Sequence, residues 1–225
     1  MHIEPGIVTG AKMVLSYGTA AAAGGYTAKL VWDQVKRLDI ARLAIGTAAS
    51  TVLTFIFFQV LPHFPVGVSE VHFILGSTLF LLFGAAPAAI GLALGLLAQG
   101  LLFAPFDLPQ YTINVTTLLA PLYAMSILAR RIIPAGTRYA DVSYGQALAL
   151  STTFQAGVVA WVAFWAFYGQ GFGATNVASV LSFGAAYMMV IVIEPLADLA
   201  VLAGAKTLRD TRAARLFTPR LFAAA

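Results

Sequence analysis

Cysteine is absent from this chain and charge is scarce. Without thiols there is no disulfide, no thiolate metal site and no thiol nucleophile. The shortage of charge excludes more. Only 10% of the 225 residues are Asp, Glu, Lys or Arg, against about 25% in a soluble domain. Too little polar surface remains to cover a water-facing shell. Also missing are a GxxxxGK[ST] loop to cradle nucleotide phosphates, an HExxH helix, and any Ser/His/Asp cluster at membrane depth. No enzymatic activity is expected, and ATP hydrolysis would have to come from other chains. The opening MHIEPGIVTG has no basic stretch leading into an apolar core, so no cleaved leader is expected and the mature chain should begin at Met1.

What is present is apolar: 60% of the residues are hydrophobic and the mean hydropathy is +0.87. A bilayer takes up roughly 20 apolar residues per helical crossing. The apolar runs are long and do not alternate every second residue, which favours an α-bundle over a barrel. The expected fold is an all-α integral membrane protein of about seven transmembrane helices, one domain over 1–225. The segments run over 7–32, 40–61, 72–83, 87–103, 112–128, 144–168 and 177–205. The third is short, and Gly84-Ala85-Ala86-Pro87 breaks the chain before the fourth. Gly91, Ala93 and Gly95 are small enough for close helix packing.

Basic residues set the orientation. With the N-terminus outside and the C-terminus cytoplasmic, twelve of the thirteen Lys and Arg residues fall inside, Lys12 excepted. This accounts for the basic character without nucleic acid. The cationic tail 206–225 is expected to meet anionic membrane lipid or a cytoplasmic partner. The same threading collects His2, His63, His72, Glu4, Glu70 and Asp107 on the outer face. In the seventh segment Glu194 and Asp198 are expected to pair with a cation near the inner end, Lys206 or Arg209, the alternative being an ion path. Trp161, Trp165 and Tyr168 are expected to form an outer aromatic belt.

Chemistry concentrates at Met1-His2. A free α-amine, the amide nitrogen of residue 2 and the Nδ1 of a histidine there close one five-membered and one six-membered chelate ring. A second imidazole can fill the fourth corner of the plane. Square-planar nitrogen coordination suits Ni(II) or Cu(II), and Co(II) can use it, whereas Zn(II) prefers a tetrahedron. The bulk of His at position 2 disfavours removal of Met1, whose formyl group must leave before the amine can bind.

Met1-His2-Ile3, the run GVSEVHFILG over 67–76, QGLLFA over 99–104, and Asn114 ahead of an apolar helix occur in that order. This resembles the cobalt/nickel substrate-capture membrane subunits of energy-coupling-factor ABC transporters, the CbiM/NikM family. The resemblance covers 1–125, the later segments matching in hydropathy alone. It implies a bacterial cytoplasmic-membrane importer subunit whose substrate is Co2+ or Ni2+. Metal would be bound near the outer face by Met1, His2 and His72, with Asn114 hydrogen-bonding a ligand histidine. The implied partners are cytoplasmic ATPases and a coupling membrane subunit. Two departures stand out: Glu4-Pro5-Gly6 replaces the family's acidic residue–Gly pair, and Glu70 is inserted ahead of His72. The second makes His63 the alternative ligand and offers a hard oxygen nearby. The competing functions are a vitamin-type substrate-binding subunit, which needs no His at position 2, and a proton-coupled carrier or channel.

Overall fold

The computed structural model describes residues 3–37 and 39–223. Met1 and His2, two of the expected ligands, lie outside the described residues. After a short turn, α1 covers Met13–Val35. α2, Ile40–Phe55, runs on into one wider helical turn, Ile56–Val60. A small antiparallel hairpin follows, β1 Phe64–Val66 and β2 Ser69–Val71, with Phe64 opposite Val71. Then come α3 Gly76–Phe83, α4 Ala85–Leu102, α5 Tyr111–Ile132 and α6 Tyr144–Gln170. α7 Ala174–Met188 and α8 Glu194–Lys206 are joined by a tight turn, Met189–Val192. A last short helix, α9, covers Pro219–Phe222.

Polarity is inverted relative to a water-soluble fold. Leu102, Phe172 and Met189 are each at least 67% exposed, whereas Ser50, Thr54, Ser77, Glu194 and Asp198 are completely buried. An apolar surround accepts this arrangement and water does not. Five segments among the described residues are long and apolar enough to cross a bilayer: Ile40–Val60, Ala85–Leu102, Pro105–Ile132, Tyr144–Gln170 and Ala174–Lys206. The chain is therefore a multi-pass membrane protein. The other two expected spans differ from this set. α1 is long enough, but its Gly, Ser, Thr and Tyr content dilutes its hydropathy. The third, expected over 72–83, is helical only over Gly76–Phe83. Eight residues rise about 12 Å, well short of a hydrocarbon core about 30 Å thick. The break at Gly84 is as expected, with the residue at φ +87°.

The small residues of α4 do what their size allows. A Cβ on Gly91 would sit 2.2 Å from Ser50 Cβ, and one on Gly95 would sit 2.6 Å from Thr54 Cβ, so α2 and α4 meet backbone to backbone. Two ends are distinct. At one lie residues 3–12, the hairpin, the end of α6 and the start of α7: Lys12 Nζ donates to Gly169 O (2.8 Å) and Gln110 Nε2 to Val8 O (3.3 Å). At the other, Arg42 Nε donates to Arg215 O (3.2 Å) and Lys206 pairs with Asp141 (3.0 Å). The tail folds back on this second end. Thr218 N–H donates to Leu82 O (2.8 Å), Phe217 stacks on Phe83, and the Arg220 guanidinium binds Ile133 O and Pro134 O above the Tyr139 ring. Hydrogen bonds from Lys206 and Arg138 hold the Asp141 carboxyl below the usual carboxylate range.

Two further expectations are corrected. Lys206 is committed to Asp141, and the partners of Glu194 and Asp198 are hydroxyls and an amide, not a cation. Trp165 is no interface residue: it is fully buried and packs edge-on against Phe164 and Tyr168.

The α2–α4 contact sets a first prediction. Gly91→Val forces atoms into Ser50 and should cost about 1–3 kcal/mol through overpacking. Gly24→Ala, with nothing within 4 Å of the new Cβ, should be neutral. Residual monodisperse protein after heating, read by size-exclusion chromatography in detergent, separates the two, and equal heat resistance would refute the close contact.

Candidate metal centre

The candidate site is assembled from three chain-distant pieces. Ile3 is the keystone of the first. It is 1% exposed, forms an antiparallel bridge with Ser69 of β2, and its N–H donates to Asn114 Oδ1 at 2.9 Å. Glu4 N–H continues the pairing to Val68 O (3.1 Å). An apolar residue three positions into the chain is thus fixed between the hairpin and the start of α5. Asn114 is itself buried; it serves the backbone of Ile3.

The hairpin is the second piece, and its turn is locked by contact. Gly67 has φ +63°, and a Cβ there would lie 2.0 Å from Ser179 O of α7. Only glycine combines that left-handed backbone with so close an approach. Gly169 does the same for the N-terminal segment: an added Cβ would sit 2.1 Å from Ile7 O.

The third piece is the non-helical run leaving β2, where Ile74 N–H donates back to His72 O (3.1 Å). His72 is completely buried, and its Nε2 lies 2.9 Å from Glu70 Oε2. A carboxylate on one ring nitrogen fixes the tautomer and the ring plane. His72 packs against Phe58 at 4.8 Å between ring centroids, and against His63, also at 4.8 Å with the rings only 12° from parallel. Stacked rings show each other their faces, and one ion cannot receive a nitrogen from both without a rotation. His63 also has its Nδ1 3.2 Å from Leu61 O. Its geometry is that of a packing partner for His72. Asp107 is buried near this end, within electrostatic reach of Glu70 and Glu4.

The structure therefore brings Asn114, Glu70, His63 and His72 to one end and fixes Ile3 beside them. Among the described residues no group of three His, Cys, Asp or Glu side chains converges to hold a metal ion. Sequence reasoning missed the bridge from Ile3 to Ser69 and the bond from Gln110 to Val8. The only available signals were an isoleucine inside a polar opening and a glutamine at a helix start.

The family model for the cobalt uptake substrate-specific transmembrane region, CbiM, matches residues 2–211. The chain belongs to the CbiM family. Neither the curated proteins nor the solved structures contain a match. As a CbiM protein the chain is a substrate-specific membrane component of cobalt uptake, a transport protein and not an enzyme, and what it handles is a metal ion.

Replacing Asn114 by Leu strands the buried N–H of Ile3, which costs about 1–3 kcal/mol. Hydrogen–deuterium exchange over 3–9 and 64–71 should accelerate in that variant while α7 keeps its wild-type protection. Unchanged exchange at Ile3 and Glu4 would mean that Asn114 does not hold the segment.

Proposed function

We propose that this CbiM protein captures Co2+ or Ni2+ at the outer face through the Met1 α-amine, the amide and imidazole nitrogens of His2, and His72. The observation that carries the reading is the fixing of Ile3 to the hairpin that leads to His72. A chain of two residues reaches no more than about 7 Å, so in this reading the metal sits within that reach of the anchored Ile3. The Glu70–His72 pair supports the same reading, because a carboxylate on the second ring nitrogen orients a ligand histidine and raises its basicity. Glu70 then acts by orienting His72 and Asn114 by anchoring Ile3, while His63 covers the ring.

The outer placement rests on the segregation of Lys and Arg, and with it the N-terminus is extracellular and the tail cytoplasmic. One domain over 1–225 is proposed, in the cytoplasmic membrane of a bacterium. Movement of the metal inward is assigned to partners: ATPases and a coupling membrane subunit of an energy-coupling-factor assembly. At the proposed inner end a cavity of about 820 Å³ is lined by Lys29, Arg37, Arg42, Arg130 and Arg220. Asp33 and Asp39 in the same lining pair with Lys29 and Arg42, and the remaining positive charge suits an anionic lipid headgroup.

The test is a titration of purified protein with Co2+ and Ni2+. His72→Ala and an added residue before Met1 should each weaken binding at least tenfold, whereas His63→Ala should change it less than threefold. Full affinity in the N-terminally extended chain excludes the amine as a ligand. Protonation competes with the metal for amine and imidazole, so affinity should fall as pH drops through about 8 and again through about 6.5. Flat binding between pH 8 and 5.5 would require oxygen ligands instead.

A further inference from the structure

Glu194 opens α8 and Asp198 follows one turn later, so both carboxyls face the start of α3. Both are completely buried. Ser77 N–H lies 3.4 Å from Glu194 Oε1. Ser77 Oγ lies 2.8 Å from Glu194 Oε1 and 2.7 Å from Asp198 Oδ2. The Thr78 hydroxyl donates to Asp198 Oδ1. Ser151 Oγ (2.5 Å) and Gln155 Nε2 (2.6 Å) donate to Glu194 Oε2. No lysine, arginine or histidine is among these partners.

Counting hydrogens exposes a deficit. Every short contact has its own donor hydrogen except at Ser77 Oγ, which has one hydrogen and two carboxyl oxygens within bonding distance. If Ser77 donates to one carboxyl, the other contact needs a hydrogen from the second carboxyl. Two full negative charges joined through one hydroxyl, with no cation among their hydrogen-bond partners, would also be strongly unfavourable in an apolar interior. A second observation points the same way. The Gln155 side chain is completely buried, and its amide sits in the cluster with Nε2 on Glu194 and on Ile74 O (2.9 Å). Yet its Oε1 has no hydrogen-bond partner among the described residues, and neither has the buried hydroxyl of Tyr187 close to Glu194. Acceptor oxygens in the cluster thus outnumber the hydrogens that reach them, which favours uptake of a proton by one carboxyl.

We propose that Glu194 and Asp198, bridged by Ser77 and lined by Thr78, Ser151 and Gln155, form a buried cation-binding site whose ligand is a single exchangeable proton. α3 and α6 turn hydroxyl and amide groups to the pair, and α7 contributes Tyr187. The turn Tyr139–Asp141 beside α8 holds Asp141, which Arg138 and Lys206 neutralise. The proton joins α8 to the first turn of α3, on the segment that begins at His72 five residues earlier. Its occupancy sets whether that segment is clamped. The inference stands apart from the metal reading, because the site shares no residue with the proposed ligands.

Infrared spectroscopy of the full chain in lipid nanodiscs tests it without metal. Wild type at neutral pH should show a protonated-carboxyl C=O band that shifts to lower frequency in D2O. The band should be lost in Glu194→Gln and in Asp198→Asn and kept in Asp141→Asn. Labelling with 13C-glutamate and with 13C-aspartate assigns the band to a residue type in the wild type. Its persistence at pH 8 separates the pair from Asp107, which burial raises only to about 6, so the test survives if the variants fail to fold. No band responding to either label overturns the proposal. So does a band that appears only when sodium is replaced by choline, since sodium would then occupy the site.

Discussion

A bilayer interior offers no hydrogen bond to a bare peptide group, so any non-helical backbone at membrane depth must be satisfied by the protein itself. This CbiM chain leaves helical geometry between Val60 and Gly76, and the surrounding packing answers that stretch. β1 and β2 pair with each other, residues 3 and 4 pair with 69 and 68, and Gln155 donates to Ile74 O. The N-terminal segment therefore bridges the buried side of β2, while β1 faces outward. A shift of Ile3 would uncover the strand that leads to His72.

Close approach makes this economical. Gly67 lies against Ser179 and Gly169 against Ile7 with no room for a methyl group, so the hairpin and the N-terminal segment are held from both sides by the ends of α6 and α7. Between α2 and α4 the same device brings Ser50 and Thr54 against Gly91 and Gly95. Without a hydrophobic drive between helices in lipid, such contacts supply the dispersion energy that water would otherwise provide indirectly.

Composition made the bundle legible, because a chain this poor in charge has no other way to hide its backbone. Gly84 and Pro87 marked the break after the third segment correctly. The third segment itself misled: 72–83 is apolar enough for helix, and hydropathy cannot distinguish a lipid-facing helix from an extended run buried by its neighbours. Trp165 failed for a similar reason, since a tryptophan near a helix end reads alike whether it faces a headgroup or a core. The acids of α8 were read against the nearest cations in sequence. Their actual partners come from α3 and α6, a tertiary fact without a local signal beyond Ser and Gln in apolar helices. At the site, the grouping of His63, Glu70 and His72 followed from threading and the inclusion of Asn114 from the family resemblance, whereas their arrangement needed geometry: the Glu70 bond to His72, the parallel stack of His63, and the turn of Asn114 toward Ile3.

The two polar centres of the bundle differ in ligand chemistry and share one stretch of chain. Nitrogen donors around His72 suit late first-row divalent ions, whereas the carboxyl and hydroxyl oxygens around Ser77 suit protons and hard cations. On the proposed metal and proton sites, an ion held at the first would therefore gain little by moving to the second, and the second would stay protonated while the first is loaded. Residues 72–75 are non-helical and lead directly into α3 at Gly76. A pull on α8 from the end that bears Lys206 would act on Ser77 through Asp198 before it reached His72. In this geometry the shared segment can link release of the metal to movement at the opposite end, with no need for the ion to pass through the oxygen cluster.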